Sequence, residues 1–310
     1  MKRIKKKAVI TVVAVLIFLG VLGFTGFKAY KYFTSTEYYL KKIGYNETEI
    51  NDILKLEEKY INTILKLEYN EHLIPLFQEK YFIENNLNTY LSYKEENKDL
   101  NYTDVVSVVN VGANKEWYEN PQQTDMSKEY LILVNKFNYL TEDYTPEDLV
   151  NMGLQYAFSG KSIREEVYGS FKRLVKDAKK ENLTIVANST FRTYTYQENL
   201  YTSYKNNNGK EYADGYAARA GYSEHQTGLA IDVSTLNSTM ANFEETEEFT
   251  WLQEHAHEYG FILRYPKDKE FITGYNYESW HYRYVGEEVA KKIKELGITF
   301  DEYYAYYLAK

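Results

Sequence analysis

The spacing of apolar residues along the chain changes from a solid block to a helical period and then to a mixture of short strands and helices. Residues 8–27 are almost unbroken apolar sequence behind Lys2, Arg3, Lys5, Lys6 and Lys7. A run of about 20 such residues is enough to cross a hydrocarbon core of about 30 Å, and the basic residues ahead of it would stay cytoplasmic. It exceeds the apolar core of about 7–15 residues in a cleavable signal, and no small-residue cleavage site follows. The expectation is an uncleaved, single-pass transmembrane signal-anchor within residues 1–34, fixing the protein in the cell membrane with the rest of the chain extracellular. From 35 to 100 the period turns helical. Asn46 followed by Glu49 fits an N-cap with a reciprocating acid, and Ile50, Ile53, Leu54, Ile61, Ile64 and Leu65 recur at helix spacing. Leu73, Leu76, Phe77 and Tyr81 repeat the pattern behind Pro75, so this stretch reads as a helical stalk or subdomain.

Beyond residue 100 the pattern is mixed, with no Gly/Ser-rich or Pro-rich linker at the change. Residues 105–111 and 130–134 are aliphatic and β-branched and read as strands. Thr145, Pro146 and Asp148 read as a helix start, and Ser162 with Glu165 as another, whose Val167, Phe171, Leu174, Val175 and Ala178 make one apolar face. Residues 183–187 read as a strand, 206–222 as a Gly- and Asn-containing loop, 229–234 as a central strand and 247–259 as helical. This order predicts an α+β domain over residues 101–310, a small antiparallel sheet flanked by helices. About 200 residues suffice to bury one core.

Charge narrows the partners. The first 34 residues hold seven basic and no acidic residues, so the net charge of −8 for the whole chain leaves −15 on the remainder. So acidic a body is unsuited to nucleic acid, whose recognition rests on basic contacts to phosphate. The chain has no cysteine, which removes disulfides, thioether lipidation and thiolate metal ligands.

Metal chemistry, if present, must therefore use histidine and carboxylate, and only five histidines exist. His225 and His281 each lie in a segment that also carries carboxylates: Ser223-Glu224-His225-Gln226-Thr227-Gly228-Leu229-Ala230-Ile231-Asp232, and Glu278-Ser279-Trp280-His281. Catalytic zinc takes three protein ligands and keeps a fourth position open. His225, Asp232 and His281 are the candidate ligands, with His225 in the loop entering the strand that carries Asp232. Glu278, three residues before His281, is the candidate general base for the attacking water. Arg192, following the strand at 183–187, is a candidate to neutralise an oxyanion. Arg264 reads as a structural ion-pair partner, and His72, His255 and His257 as surface or capping residues.

These segments resemble the VanY-type zinc D-alanyl-D-alanine carboxypeptidases, relatives of the VanX dipeptidases and of Hedgehog-like zinc folds. The signature Ser-x-His-x-x-Gly-x-Ala-x-Asp is met by Ser223, His225, Gly228, Ala230 and Asp232, and Glu-x-Trp-His by Glu278, Trp280 and His281. An upstream Ser-x-x-Arg-Ser-x-x-x-Gln appears as Ser189, Arg192 and Gln197, with Thr193 where Ser is usual; Ala220 stands where many relatives have Pro. The resemblance covers about residues 105–310. It implies Zn2+ held by His225, Asp232 and His281, Glu278 as catalytic base, Arg192 stabilising the transition state, and a peptidoglycan stem peptide as substrate. Ser223, Gln197 and Trp280 are candidates to contact that substrate, Trp280 equally a packing residue. Two alternatives stay open: L,D-carboxypeptidase action on the tetrapeptide stem, and a zinc-containing wall-binding protein without turnover.

Overall fold

The computed structural model describes residues 2–238 and 240–309, with side chains from residue 16 onward. Two compact units divide between Val106 and Ser107.

The first unit is helical. It opens with α1, Lys2–Phe33, where the anchor was expected, and here the structure corrects the sequence: among the described residues no helix is long and apolar enough to cross a membrane. Residues 8–15 of the expected span have side chains outside the described ones. The Asn46 cap forms as expected. Its side chain accepts from the Thr48 and Glu49 amides while Glu49 reaches back to the Asn46 amide. The single helical period from 50 to 65 resolves into two short helices, Glu47–Ile53 and Glu58–Ile64. Leu40, Tyr45, Ile50, Ile53, Ile64, Leu73, Ile74 and Phe77 close a core of their own.

The second unit is α+β. Its sheet has four antiparallel strands: β1 Val186–Ser189, β2 Ala230–Ser234, β3 Phe261–Leu263 and β4 His281–Tyr284, in the order β1-β2-β4-β3. The two-residue alternation of a strand sorts its side chains between core and chemistry. Ile231 and Val233 of β2, Phe261 and Leu263 of β3, and Tyr282 and Tyr284 of β4 join one apolar cluster. Helix α2, Glu165–Lys180, supplies Val167, Phe171, Leu174, Val175 and Ala178 to the same cluster, as its apolar stripe predicts. The intervening residues Asp232, His281 and Arg283 are left for the opposite face.

Several expected elements are different. Residues 105–111 lie in a helix, Tyr102–Val111, because Val105, Val106, Val108 and Val109 are all buried at helical spacing. Residues 130–134 join no ladder. Ile132, Leu133 and Val134 are buried, and the Tyr130 and Ile132 carbonyls accept from the Arg283 guanidinium at 2.9 and 2.8 Å instead. Thr145 and Pro146 precede a strand, Leu149–Asn151, paired with Ser162–Arg164, and Asp148 holds Arg164 at 2.9 Å. Residues 206–222 are largely helical. Helix α3, Tyr194–Asn208, breaks only at Gly209 (φ 89°) before α4, Lys210–Tyr216.

Candidate metal centre

The register of the sheet builds the site. Asp232 and His281 are directly opposed partners on β2 and β4, and Ser189 faces Asp232 from β1. Opposed side chains lie within mutual reach, and His281 Nδ1 sits 3.0 Å from Asp232 Oδ1. His225 arrives from a tight turn, Glu224–Thr227, ended by Gly228 in the left-handed region (φ 65°). A Cβ at Gly228 would meet Arg164 Cγ at 2.9 Å and Leu149 Cδ2 at 3.1 Å, so glycine is required for conformation and space alike. The turn brings His225 Nε2 to 3.2 Å from Asp232 Oδ2. Donor atoms of His225, Asp232 and His281 all lie within 4.8 Å of one another, and all three residues are buried.

Each ring is held from behind. His225 Nδ1 donates to the Thr190 carbonyl at 2.6 Å, leaving Nε2 toward Asp232. His281 Nε2 meets Glu224 Oε2 at 3.3 Å, leaving Nδ1 toward Asp232 and Glu278. Two imidazole nitrogens and a carboxylate converging on one point, each oriented by a second group, fit a three-ligand zinc site with an open position. Burial, aided by the Arg192 charge, pushes His225 down to about 4. Asp232 lies well below the usual carboxylate range because His225, His281 and Arg192 outweigh its burial. Both are therefore deprotonated near neutral pH, as ligands must be. At His281 burial is outweighed by the hydrogen bonds to Asp232 and Glu224, which push the imidazole up to about 9, so a metal ion there would have to displace its proton.

Glu278 lines the same cleft, its Oε2 3.6 Å from His281 Nδ1. Burial, reinforced by Asp232 and opposed by His281 and Arg192, pushes its carboxyl up to about 8. A carboxylate poised in that range suits proton transfer near neutrality. Arg192 donates to Asp232 Oδ2 at 2.7 Å, to Ser189 Oγ at 3.0 Å and to Gln197 Oε1 at 3.3 Å. Gln197 in turn donates to the Ala218 carbonyl at 2.8 Å, so it braces the guanidinium as well as lining the cleft. Ser223 caps the His225 turn, accepting from the His225 amide at 3.4 Å. Trp280 is half-buried, lining the cleft while packing on the central core. His72, His255 and His257 lie outside the cleft lining.

Sequence reasoning passed over Glu224, which occupies a free position of the motif. It is completely enclosed, and Oε1 accepts from Arg264 Nε and Arg283 at 2.7 Å each while Oε2 faces His281. Arg264 also pairs with Asp301, so its ion-pair role holds, twice over. The available signal was the alternation of His281 and Arg283 on one face of β4, which leaves a buried guanidinium in need of a carboxylate.

A family model described as VanY, D-alanyl-D-alanine carboxypeptidase, matches residues 160–287. That span contains every group of the centre. The D-alanyl-D-alanine carboxypeptidase of Enterococcus faecium is 32% identical over 238 residues, 70% of this chain and 75% of that protein. The chain belongs to the VanY family. Like its VanY homologues it is a metallopeptidase of the carboxypeptidase class. It spans from 66% to 94% of the length of the curated relatives it matches. Among solved structures, the LdcB LD-carboxypeptidase is 39% identical, with a TM-score of 0.55 over 58% of this chain and 87% of its own. The vancomycin resistance D,D-pentapeptidase VanY, a mutant solved in complex with Zn(II), is 33% identical, with a TM-score of 0.50 over 56% of this chain and 99% of its own.

Proposed function

We propose that this VanY-family protein is a zinc-dependent D-alanyl-D-alanine carboxypeptidase that releases the terminal D-alanine from peptidoglycan stem pentapeptides. The observation that carries the reading is the convergence of His225, Asp232 and His281 on one point with the Glu278 carboxyl beside them. A zinc ion held by those three residues would supply Lewis acidity and lower the pKa of water. Glu278 takes the proton of the attacking water and returns it to the leaving amine. Arg192, which lines the same cleft, offsets negative charge developing on the scissile carbonyl, exchanging part of its hold on Asp232 for it. Ser223 and Trp280 contact the substrate from the cleft wall, and Gln197 keeps the guanidinium in range. A wall substrate places the reaction outside the cytoplasm as part of the same proposal.

One observation favours a second reading, L,D cleavage of the tetrapeptide stem: the likeness to the LdcB LD-carboxypeptidase is somewhat greater than that to the D,D-pentapeptidase VanY, in identity and TM-score alike. Incubating the zinc-loaded chain with muramyl pentapeptide and, separately, muramyl tetrapeptide, with mass-spectrometric detection of released D-alanine, separates the two. The D,D reading expects release from the pentapeptide, abolished by Glu278→Ala and by chelation but not by penicillin. Trimming of the tetrapeptide alone would replace it with the L,D reading. Cleavage of neither would leave a wall-binding protein.

A further inference from the structure

We propose that the outer edge of β3, with the cavity beside it, binds the carboxyl-terminal end of an extended peptide that finishes in an aliphatic residue. This cavity shares no lining residue with the metal cleft. The proposal does not depend on what that cleft hydrolyses.

β3 ends the sheet, with β4 on one side only. The Arg264 amide donates to the His281 carbonyl at 3.1 Å, and the Val285 amide to the Gly260 carbonyl at 2.9 Å. By the alternation of an antiparallel ladder, residues 260, 262 and 264 therefore face β4, and the backbone groups of Phe261 and Leu263 point the other way. The amides and carbonyls of those two residues meet no hydrogen-bond partner among the described residues. Phe261 is nevertheless only 1% exposed. Backbone groups enclosed and unpaired carry a cost that a bound main chain would recover.

A cavity of about 350 Å³ opens along this edge. Phe261 belongs to the central apolar cluster and Ile262 to a second one with Ala290 and Ile293. All four line the cavity, which is thus wedged between two packed clusters where the sheet ends. Two helices flank it, α5, Glu247–His255, and α6, Glu287–Leu296. The space is ample for the side chain of a terminal leucine or isoleucine.

The polar lining selects a charge. Lys267, Lys269 and Lys294 line the cavity and no carboxylate does, in a chain whose net charge is −8. Lys294 ties the two helices by donating to the Gln253 carbonyl at 2.8 Å, and Lys269 lies 4.0 Å from Glu302, while Lys267 is exposed. His257 Nδ1, buried without a partner, lies on the same lining. Lysines beside a sheet edge also discourage strand addition, but a guard needs no apolar cavity behind it. Unpaired backbone, apolar walls and cations together match the main chain, side chain and carboxylate of one peptide end. A free fatty acid would use only the last two.

The test uses the zinc-loaded full chain and the all-L probe acetyl-Ala-Val-Leu as the free acid, with binding followed by calorimetry and by amide hydrogen exchange. The free acid should bind at least about tenfold more tightly than its carboxamide, and than acetyl-Ala-Val-Gly. Exchange at the Phe261 and Leu263 amides should slow when it binds. Lys267→Glu, at an exposed position, should lower affinity for the free acid about tenfold and leave the carboxamide within about twofold, and Lys267→Arg should keep the preference. No binding would make the lysines a guard of the edge and overturn the proposal. Binding that leaves exchange at Phe261 and Leu263 unchanged would place the probe in the metal cleft and overturn it too, as would equal affinity for acid and carboxamide.

Discussion

Glu224 and Glu278 approach the same imidazole from opposite sides, at 3.3 Å from His281 Nε2 and 3.6 Å from Nδ1, and both are buried. Burial raises the pKa of each, and their neighbours decide the outcome. Two guanidiniums, Arg264 and Arg283, overcome burial at Glu224 and hold it ionised far below the usual range. At Glu278 no cation is that close, burial prevails, and the carboxyl rises to about 8. The roles separate accordingly: Glu224 fixes the framework, while Glu278 stays free to exchange a proton. Glu224→Gln leaves the buried Arg283 guanidinium without its carboxylate and Arg264 with Asp301 alone, and should cost roughly 3–5 kcal/mol of stability in urea unfolding. Glu278→Gln removes no ion pair of that kind, should leave the unfolding midpoint nearly unchanged, and should lower turnover by at least about 10²-fold. A Glu278→Gln protein as unstable as Glu224→Gln would show that both carboxylates are structural.

At the scale of elements, what the sequence made legible followed the two simplest periods. The stripe of α2 could be read because its environment is one-sided, and the strand carrying Asp232 because it is a short apolar run buried along its whole length. The motif histidines could be read from their own segments, His225 just ahead of that strand and His281 behind Glu278 and Trp280. The valine-rich residues 105–111 misled because β-branched side chains favour strands locally, whereas the burial of Val105, Val106, Val108 and Val109 makes a helical face. Residues 130–134 misled because a buried apolar segment need not pair in a sheet when a side chain satisfies its carbonyls, and Arg283, about 150 residues away, does so. Partnerships across such separations leave no periodic trace, which is also why Glu224 was passed over. The turn that delivers His225 depends on a local requirement that was legible, the glycine at 228. Gly228→Ala combines an L residue at φ 65° with a Cβ 2.9 Å from Arg164 Cγ. It should cost on the order of 1–3 kcal/mol in thermal or urea unfolding. It should also weaken zinc binding in chelator competition, because His225 moves with the turn. Unchanged stability and zinc affinity would mean that the turn relaxes freely.

At the scale of the whole catalytic unit, Lys136 ties distant segments together. It is 3% exposed, its Nζ donates to the Asp214 carbonyl at 2.7 Å, and it lies 5.4 Å from the Trp117 ring, 5.6 Å from Tyr118 and 4.6 Å from Tyr275. Tyr275 also lines the cleft. Burial, opposed by Asp214 and aided by Arg219 and Lys210, pushes the amine from its ordinary 10.5 down to about 8. The unfolded chain therefore binds more protons than the folded one between about pH 8 and 10.5, and stability must rise with pH across that window. The full gain is on the order of 3 kcal/mol, and below about pH 8 the charged amine carries this cost in full. Buried tyrosines beside it, Tyr118 and Tyr275, are raised above their ordinary range by desolvation. Their protons favour the fold and reverse the slope once unfolded tyrosines ionise near pH 10, so the useful interval is about pH 8 to 9.5. Lys136→Met keeps the apolar stem inside the three rings and removes the titration. The difference in urea unfolding free energy, wild type minus Lys136→Met, should therefore increase steadily from pH 8 to 9.5, with the shared tyrosine contribution cancelling. A flat difference would mean that water reaches the amine and that its hold on Asp214 is not an enclosed one.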